Sequence, residues 1–385
     1  MVDTVVLLLS PSKYQITNPD AFTPSAQWVL TNTITPGIIS KQNPTKRELR
    51  AGIYKPYLTL AHRANINGRL EIMLKIELSL PKLLFGNNFD ELQYKDFAAI
   101  TTKLVTLLHD MGITTTTQAL AQAPVAVIHY AKNMAFTDGS TPHYYINKIK
   151  EAQVPLALDI NQTDYRNDGH SYKLHSNAYE VVFYDKIRDL EKAKQSEKRA
   201  IEKDNALQLN VLKPLRSKGK LEVLRMEVRL NKRQKMKQLF DKLGIKAALT
   251  FKKLFKPVIA KAILLHYLEE LERKRPPLLD YTQSNDKALL VDLITHNPDL
   301  TLKSVMCLFG LKQALEIMSP RELRTMFPRS STRSWNRLMA DASKVKLQRM
   351  QSIFGILREH VEQFKALRLK YSKKNYPLYV QVLNQ

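Results

Sequence analysis

Two carboxylates, an imidazole, a phenol and an ammonium stand at strand or strand-end positions of this chain: Glu77, Glu227, His129, Tyr184 and Lys186. Gathered on one sheet, they could cleave a phosphodiester. Phosphodiester oxygens repel nucleophiles, and a divalent ion held by Glu77, His129 and Glu227 would neutralise the charge that develops on them. The Tyr184 oxygen would attack phosphorus in line and form a covalent phosphotyrosine, leaving a free 3′-hydroxyl. Lys186 would lie beside the phenol. Oxygen and nitrogen ligands suit Mg²⁺ or Mn²⁺, and the imidazole tilts the choice toward Mn²⁺. Each residue also has a plainer reading. A strand tyrosine commonly packs, strand-face glutamates are commonly solvated, His129 shares its face with Val125 and Val127, and Lys186 opens a charged helix.

The elements that must position these residues are legible in the alternation of side chains. TVVLLLS reads as a first strand. RLEIMLKIELSL, residues 69–80, puts Leu70, Ile72, Leu74, Ile76 and Leu78 on one face and Glu71, Lys75, Glu77 and Ser79 on the other. A helix follows, with Asn88 as its N-cap, Glu91 completing a capping box, and Gly112 ending it. PVAVIHYAKNMAF reads as a strand and TPHYYINKIKEA as a helix start. NAYEVVFYDK is a further strand, with Tyr184 on the face of Glu180 and Lys186. Residues 186–220 read as a charged helix and a basic loop, KPLRSKGK. KLEVLRMEVRLNKR returns to alternation, with Leu224, Met226, Val228 and Leu230 opposite Arg225, Glu227 and Arg229. Residues 1–255 therefore predict an α+β domain, an antiparallel sheet with helices on one face. Residues 256–385 predict a mostly helical C-terminal domain.

Charge narrows the class of partner. The 385 residues carry 60 Lys and Arg against 36 Asp and Glu, a net +24. Such a surplus points to a polyanion, nucleic acid first and an anionic lipid surface second. No apolar run approaches the ~18 residues that span a membrane. VVLLL is short for a signal peptide, and an acidic Asp3 precedes it. Cys307 is the single cysteine, which excludes an intrachain disulfide and a cysteine-based zinc site and fits a reducing cytoplasm. The phosphate loop of ATP-driven motors is absent, as are the GxSxG and HExxH motifs. No His-hydrophobic-His pair occurs, and the histidines of GHSYKLHS stand five apart.

DNA contacts are expected in two places. Arg225, Arg229, Lys232 and Arg233 lie on or just after the Glu227 strand and could supply phosphate contacts. SPRELRTMFPRSSTRSWNRLMADASK can form two helices joined by a turn. Ser319, Pro320 and Glu322 open the first, Pro328 stops it, and Ser330 or Ser331 caps the second. Arg329 sits in the turn, and Arg333 and Arg337 share one face of the second helix, fit for a groove or for phosphate. A plain helical hairpin has the same pattern.

Several segments, in order, resemble the replication initiation proteins of filamentous phages, the gene II and phage X type. MVDTVVLLL looks like that family's first strand, and IELSLPKLLFGNNFDEL is similar to its strand–Pro–Lys block. YEVVFYDKIRDLEK looks like its tyrosine strand, LRMEVRLNKR like its Arg-x-Glu-x-Arg strand, and MFPRSSTRSWNRLM like a later Pro-Arg-x-Ser segment. The tyrosine and glutamate strands also resemble those of plasmid rolling-circle initiators. The resemblance implies a metal-dependent enzyme that nicks one strand of a double-stranded origin and joins the 5′ end covalently. Host polymerase would extend the 3′-hydroxyl in the bacterial cytoplasm, with a host helicase as a further partner, and the protein would rejoin the displaced single strand. It implies Tyr184 as nucleophile, Glu227 as a metal ligand, Glu77 as a second acid and Lys186 as a phosphate-stabilising cation. Where related sequences place Asp after Ile, this chain has Ile128-His129. Tyr179 is a rival nucleophile on the opposite strand face. A non-catalytic DNA-binding copy-control factor is the alternative, and a relaxase or transposase is a third reading.

Overall fold

The computed structural model describes residues 1–24, 40–51, 53–64, 70–136, 139–150, 164–166, 169–192, 222–273, 286–318, 320–329, 331–347, 353–371 and 377–383. The expected basic loop KPLRSKGK and the capping residues Ser319 and Ser330 lie outside them.

The strands are β1 (Val2–Leu9), β2 (Tyr14–Ile16), β3 (Thr23–Pro24), β4 (Ser40–Gln42), β5 (Tyr57–Ala64), β6 (Leu70–Ser79) and β7 (Ile113–Thr115). They continue as β8 (Val125–Phe136), β9 (Asp164–Arg166), β10 (Ser171–His175), β11 (Tyr179–Asp185), β12 (Glu222–Leu230), β13 (Ala366–Tyr371) and β14 (Pro377–Leu383). Ten of them form one antiparallel sheet in the order β3-β4-β5-β6-β1-β8-β12-β11-β10-β9. The pairs β2–β7 and β13–β14 stand apart from it. The fold is α+β, as the alternation predicts.

The helices are α1 (Lys46–Arg50), α2 (Leu80–Phe85), α3 (Phe97–Asp110), α4 (Thr117–Gln122), α5 (Pro142–Lys150), α6 (Lys186–Lys192) and α7 (Arg233–Lys242). They continue as α8 (Phe251–Leu254), α9 (Pro257–Arg273), α10 (Asp286–His296), α11 (Leu302–Ile317), α12 (Pro320–Thr325), α13 (Thr332–Lys344) and α14 (Ile353–Gln363).

Apolar residues at alternate positions of the central strands make one face of the sheet. Leu74, Ile76, Ile128, Met226, Val228 and Phe183 are buried there. They join Ile263, Leu264 and Leu268 of α9 and Phe354, Leu357 and Val361 of α14 in one core. Ile72, expected on this face, is 44% exposed near the strand end. A second core holds Leu289, Leu293, Leu308, Leu311, Met339 and Ala342, from α10, α11 and α13. The expected boundary at 255/256 falls between α8 and α9, both of which contribute to the first core. Among the described residues no helix is long and apolar enough to cross a membrane.

Two local expectations are corrected. Asn88 does not cap a helix, and Glu91 does not close a capping box. α3 begins at Phe97, after a polar loop whose side chains turn inward. The reason is a buried charge pair. The Glu91 carboxylate accepts from Lys132 Nζ (2.7 Å), from the Asn133 N–H (2.6 Å) and from the Leu367 N–H (2.9 Å). Asp90 accepts from the Leu369 N–H (2.7 Å), and Arg368 pairs with Asp96. These bonds fasten β13 to the loop, and β13 pairs with β14 in a hairpin that follows the helices of the mostly helical C-terminal region. Gly112 does end α3, at φ 78°, and a Cβ there would lie 2.6 Å from Asn18 Cβ.

Burial alone would raise the Glu91 carboxyl, but Lys132 and the hydrogen bonds bring it below its ordinary value. Removing it would strand the Lys132 ammonium, which is also buried. Glu91→Ala is expected to cost about 3–5 kcal/mol, measured as the change in urea unfolding free energy. Glu77→Ala, at a carboxylate 46% exposed, is the control, expected to cost under about 1 kcal/mol.

Candidate functional site

Directly paired residues of antiparallel strands point to the same side of a sheet. The register across β11, β12 and β8 therefore builds a patch opposite the helix-covered face. Tyr184 pairs with Arg225 and Arg225 with Asn133; Val182 pairs with Glu227 and Glu227 with Ala131; Glu180 pairs with Arg229 and Arg229 with His129. Tyr184, Glu227 and His129 come together as the sequence predicts.

Glu227 is the centre of the patch. Its side chain is only 4% exposed. Arg229 Nε donates to Oε1 at 2.9 Å, and His129 Nδ1 lies 3.4 Å from the same oxygen. The Tyr184 hydroxyl donates to Oε2 at 3.3 Å, with Arg225 Nε at 3.8 Å. Burial would raise this carboxyl, but Arg229, the His129 hydrogen bond and Arg225 hold it well below 4.5. Burial pushes the Tyr184 phenol well above 10; Arg225 opposes this, and Glu227, Asp189 and Asp3 add to it. At neutral pH the resting pair is thus a protonated phenol and a carboxylate.

Lys186 opens α6 and is buried under the same ring. Its Nζ donates to Asn88 Oδ1 (2.8 Å) and lies 5.7 Å from the Tyr184 ring centroid. Burial, with Arg225, lowers its pKa to about 7. Asn88 thus serves the site rather than a helix terminus.

Arg225 and Arg229 were expected to contact DNA. Arg225 is buried, and its guanidinium donates to Asp3 Oδ1 (2.6 Å), Asn133 Oδ1 (3.1 Å) and the Asn88 carbonyl (3.2 Å). It is an internal brace. Arg229 is partly exposed and bridges two carboxylates, donating to Glu227 and, through Nη1, to Glu180 Oε2 at 3.2 Å. Glu180 also pairs with Lys173 (2.9 Å) and His175 (2.8 Å). Asp3, Asn88, Asn133 and Glu180 were not among the predicted site residues. Period-two spacing from Tyr184 could have found Glu180; the other three arrive from distant segments. The rival Tyr179 lies on the helix-covered face against Tyr267 of α9, with ring centroids 5.1 Å apart. Burial pushes its phenol up to about 12.

Glu77 is a correction to the expected ligand set. It pairs with Val6 of β1, which pairs with Val127 of β8, whereas Glu227 pairs with Ala131. Three strand intervals and four residues separate the two carboxylates, about 14 Å across the strands and about 13 Å along them. Glu77 instead pairs with Lys75 at 2.9 Å. Among the described residues no three His, Cys, Asp or Glu side chains converge as a metal site needs. Glu227 and His129 alone remain, and guanidinium groups already hold the carboxylate. The expected Glu77–His129–Glu227 set therefore does not fit Mg²⁺ or Mn²⁺.

Lys232 and Arg233, just past β12, are exposed, as expected. The two-helix segment forms α12 and α13, and the Ser331 hydroxyl caps α13 by accepting from the Ser334 N–H at 3.1 Å. Arg329, Arg333 and Arg337 are exposed on it. No family model, curated protein or solved structure matches this chain.

A carboxylate whose folded pKa lies below its unfolded value stabilises the fold above about 4.5, and the contribution is lost as pH falls through the folded value. Glu227→Gln is expected to destabilise by about 3–5 kcal/mol at neutral pH, because it leaves buried Arg225 and partly exposed Arg229 underpaired. The gap from wild type should close in strong acid. Urea unfolding of both proteins across pH checks this, and a gap that does not depend on pH would contradict it.

Proposed function

We propose that the protein is a rolling-circle replication initiator that nicks one strand of origin DNA through a phosphotyrosine and later rejoins the displaced strand. The observation that carries this reading is the hydrogen bond from the Tyr184 hydroxyl to Glu227, on a sheet face beside Arg229 and His129. The net charge of +24 and the ordered resemblance to filamentous-phage initiators support the substrate class.

In the resting arrangement proton transfer from Tyr184 to Glu227 is steeply uphill. Arg229 is the largest influence holding Glu227 acidic. A scissile phosphate that draws Arg229 onto its own oxygens would weaken that hold, and Glu227 would become a usable base. Tyr184 Oη then bonds to phosphorus and passes its proton to Glu227, while the P–O3′ bond breaks. The departing 3′ oxygen takes a proton from solvent water, and the DNA keeps a 3′-hydroxyl for the host polymerase. Rejoining runs the same steps in reverse: the 3′-hydroxyl attacks the phosphotyrosine and Tyr184 recovers its proton. No step is routed through a metal ion.

The test uses supercoiled DNA carrying the replicon's own origin, with Mg²⁺, Mn²⁺ or a chelator. Wild type is expected to give open circles and a protein–DNA adduct that survives denaturation. Tyr184→Phe should lose both by at least about a thousandfold. Origin binding without nick or adduct under every condition would favour the non-catalytic binding factor, a reading suggested by the clamp of guanidinium groups on Glu227.

Duplex binding is assigned in this reading to the exposed cations of α13. Arg333→Ala with Arg337→Ala should weaken origin binding and lower the slope of log K against log salt by about 2. A salt titration of binding reads this directly, and an unchanged slope would remove α13 from the interface.

A further inference from the structure

The two-helix unit that carries Arg333 and Arg337 has a feature that phosphate contacts do not use. The turn between α12 and α13 holds three consecutive apolar residues, Met326, Phe327 and Pro328, and all three are exposed. Met326 is 64% exposed and Phe327 57%. Apolar side chains scattered singly over a surface are ordinary. Three in a row at the tip of a turn are not, because the helices on either side bury Leu323, Met339 and Ala342 in the second core.

The tip is held outward by its own backbone and by the start of α13. The Met326 N–H donates to the Glu322 and Leu323 carbonyls, and the Phe327 N–H to the Arg324 carbonyl, each at 3.2 Å. α12 therefore closes just before the tip, and Pro328, with no N–H to donate, keeps it from continuing. The Arg324 guanidinium donates to the Thr332 hydroxyl at 3.2 Å, which ties the last turn of α12 to the first turn of α13. The core fixes the two helices, and the tip projects from the end where they meet.

Cations surround it. Arg324 lies three residues before Phe327 and Arg329 two after, and Arg333 lies in the first turn of α13; all three are exposed. Arg337 follows one turn on, about 6 Å along the helix. Guanidinium groups around an apolar tip suit a polyanion and disfavour a second copy of a chain with net charge +24. An anionic lipid surface would need a broad apolar helix face. α13 spends its apolar side on the core, where Trp335 and Leu338 pack beside Met339 and Ala342. Duplex DNA fits both parts. Proteins that grip DNA with arginines and insert Phe, Met or Pro between base steps unstack those steps in part and kink the duplex by about 20–90°.

We propose that the Met326–Phe327–Pro328 tip is a wedge that enters a base step of the origin duplex, with Phe327 as the inserted ring, and kinks it. The proposal rests on the assignment of duplex binding to α13, but its test needs no nick. An origin duplex of about thirty base pairs carries a donor and an acceptor fluorophore at its two ends. Energy transfer reads the bend, and anisotropy reads binding. Saturating wild type should raise the transfer as a bend of about 20–90° requires. Phe327→Ala should bind within about tenfold of wild type, because the arginines still hold phosphates, yet lose the rise. Phe327→Leu keeps an apolar wedge and should restore it. Thermal unfolding confirms that each variant is folded. A duplex left straight by saturating wild type, or a full rise with Phe327→Ala, would overturn the proposal. So would a straight duplex together with vesicles of anionic phospholipid that sediment wild type but not Phe327→Ala, which would give the tip to a membrane surface. Failure of the two readings looks different. Unchanged binding by Arg333→Ala with Arg337→Ala removes α13 from the interface, whereas tight binding without a bend removes only the wedge.

Discussion

A carboxylate that is 4% exposed must be paired, and the pairing of Glu227 organises the candidate site. A buried ionised group without compensation costs several kcal/mol. Glu227 takes its compensation from Arg229, His129 and Arg225, with the Tyr184 hydroxyl as a further donor. Each of those partners is then fixed in turn. Arg225 is anchored by Asp3, Asn133 and Asn88, and Asn88 also receives Lys186. Arg229 is shared with Glu180, which collects Lys173 and His175. One polar network thus runs across the face of four neighbouring strands, β8, β12, β11 and β10.

The same network explains why the two tyrosines of β11 differ. Tyr179 and Tyr184 are five residues apart and so face opposite sides of the sheet. The helix-covered side surrounds Tyr179 with Tyr267 and the core. The other side gives Tyr184 a carboxylate acceptor and two guanidinium groups. Both phenols are raised by burial, and among the described residues the Tyr184 hydroxyl donates to a carboxylate, Glu227. Arg229 is the part of the clamp best placed to respond to an arriving anion, because it is partly exposed while Arg225 is enclosed.

The alternation of β6, β11 and β12 was legible in the sequence, and it put Tyr184 and Glu227 on polar faces correctly. It could not give strand order. β1 and β8 lie between β6 and β12, and this separation removes Glu77 from the site. The burial of Arg225 was also illegible, since its partners Asp3, Asn88 and Asn133 lie 222, 137 and 92 residues away in the chain. Asn88 and Glu91 matched a helix-capping pattern by local spacing. Long-range partners, Lys186 for one and Lys132 for the other, claimed both side chains. The C-terminal hairpin escaped notice for a related reason, because hydrogen bonds to Asp90 and Glu91 fasten β13 beside a loop far back in sequence.

The central claim is that the Tyr184 oxygen, and no other group, receives the DNA phosphate. Its most direct measurement is to trap the adduct on origin DNA, digest the protein, and identify by mass spectrometry the residue that carries the nucleotide. The account requires the label on Tyr184, in the peptide that contains YEVVFYDK. A label on Tyr179 or on any other side chain would contradict it, and so would strand cleavage without a covalent label.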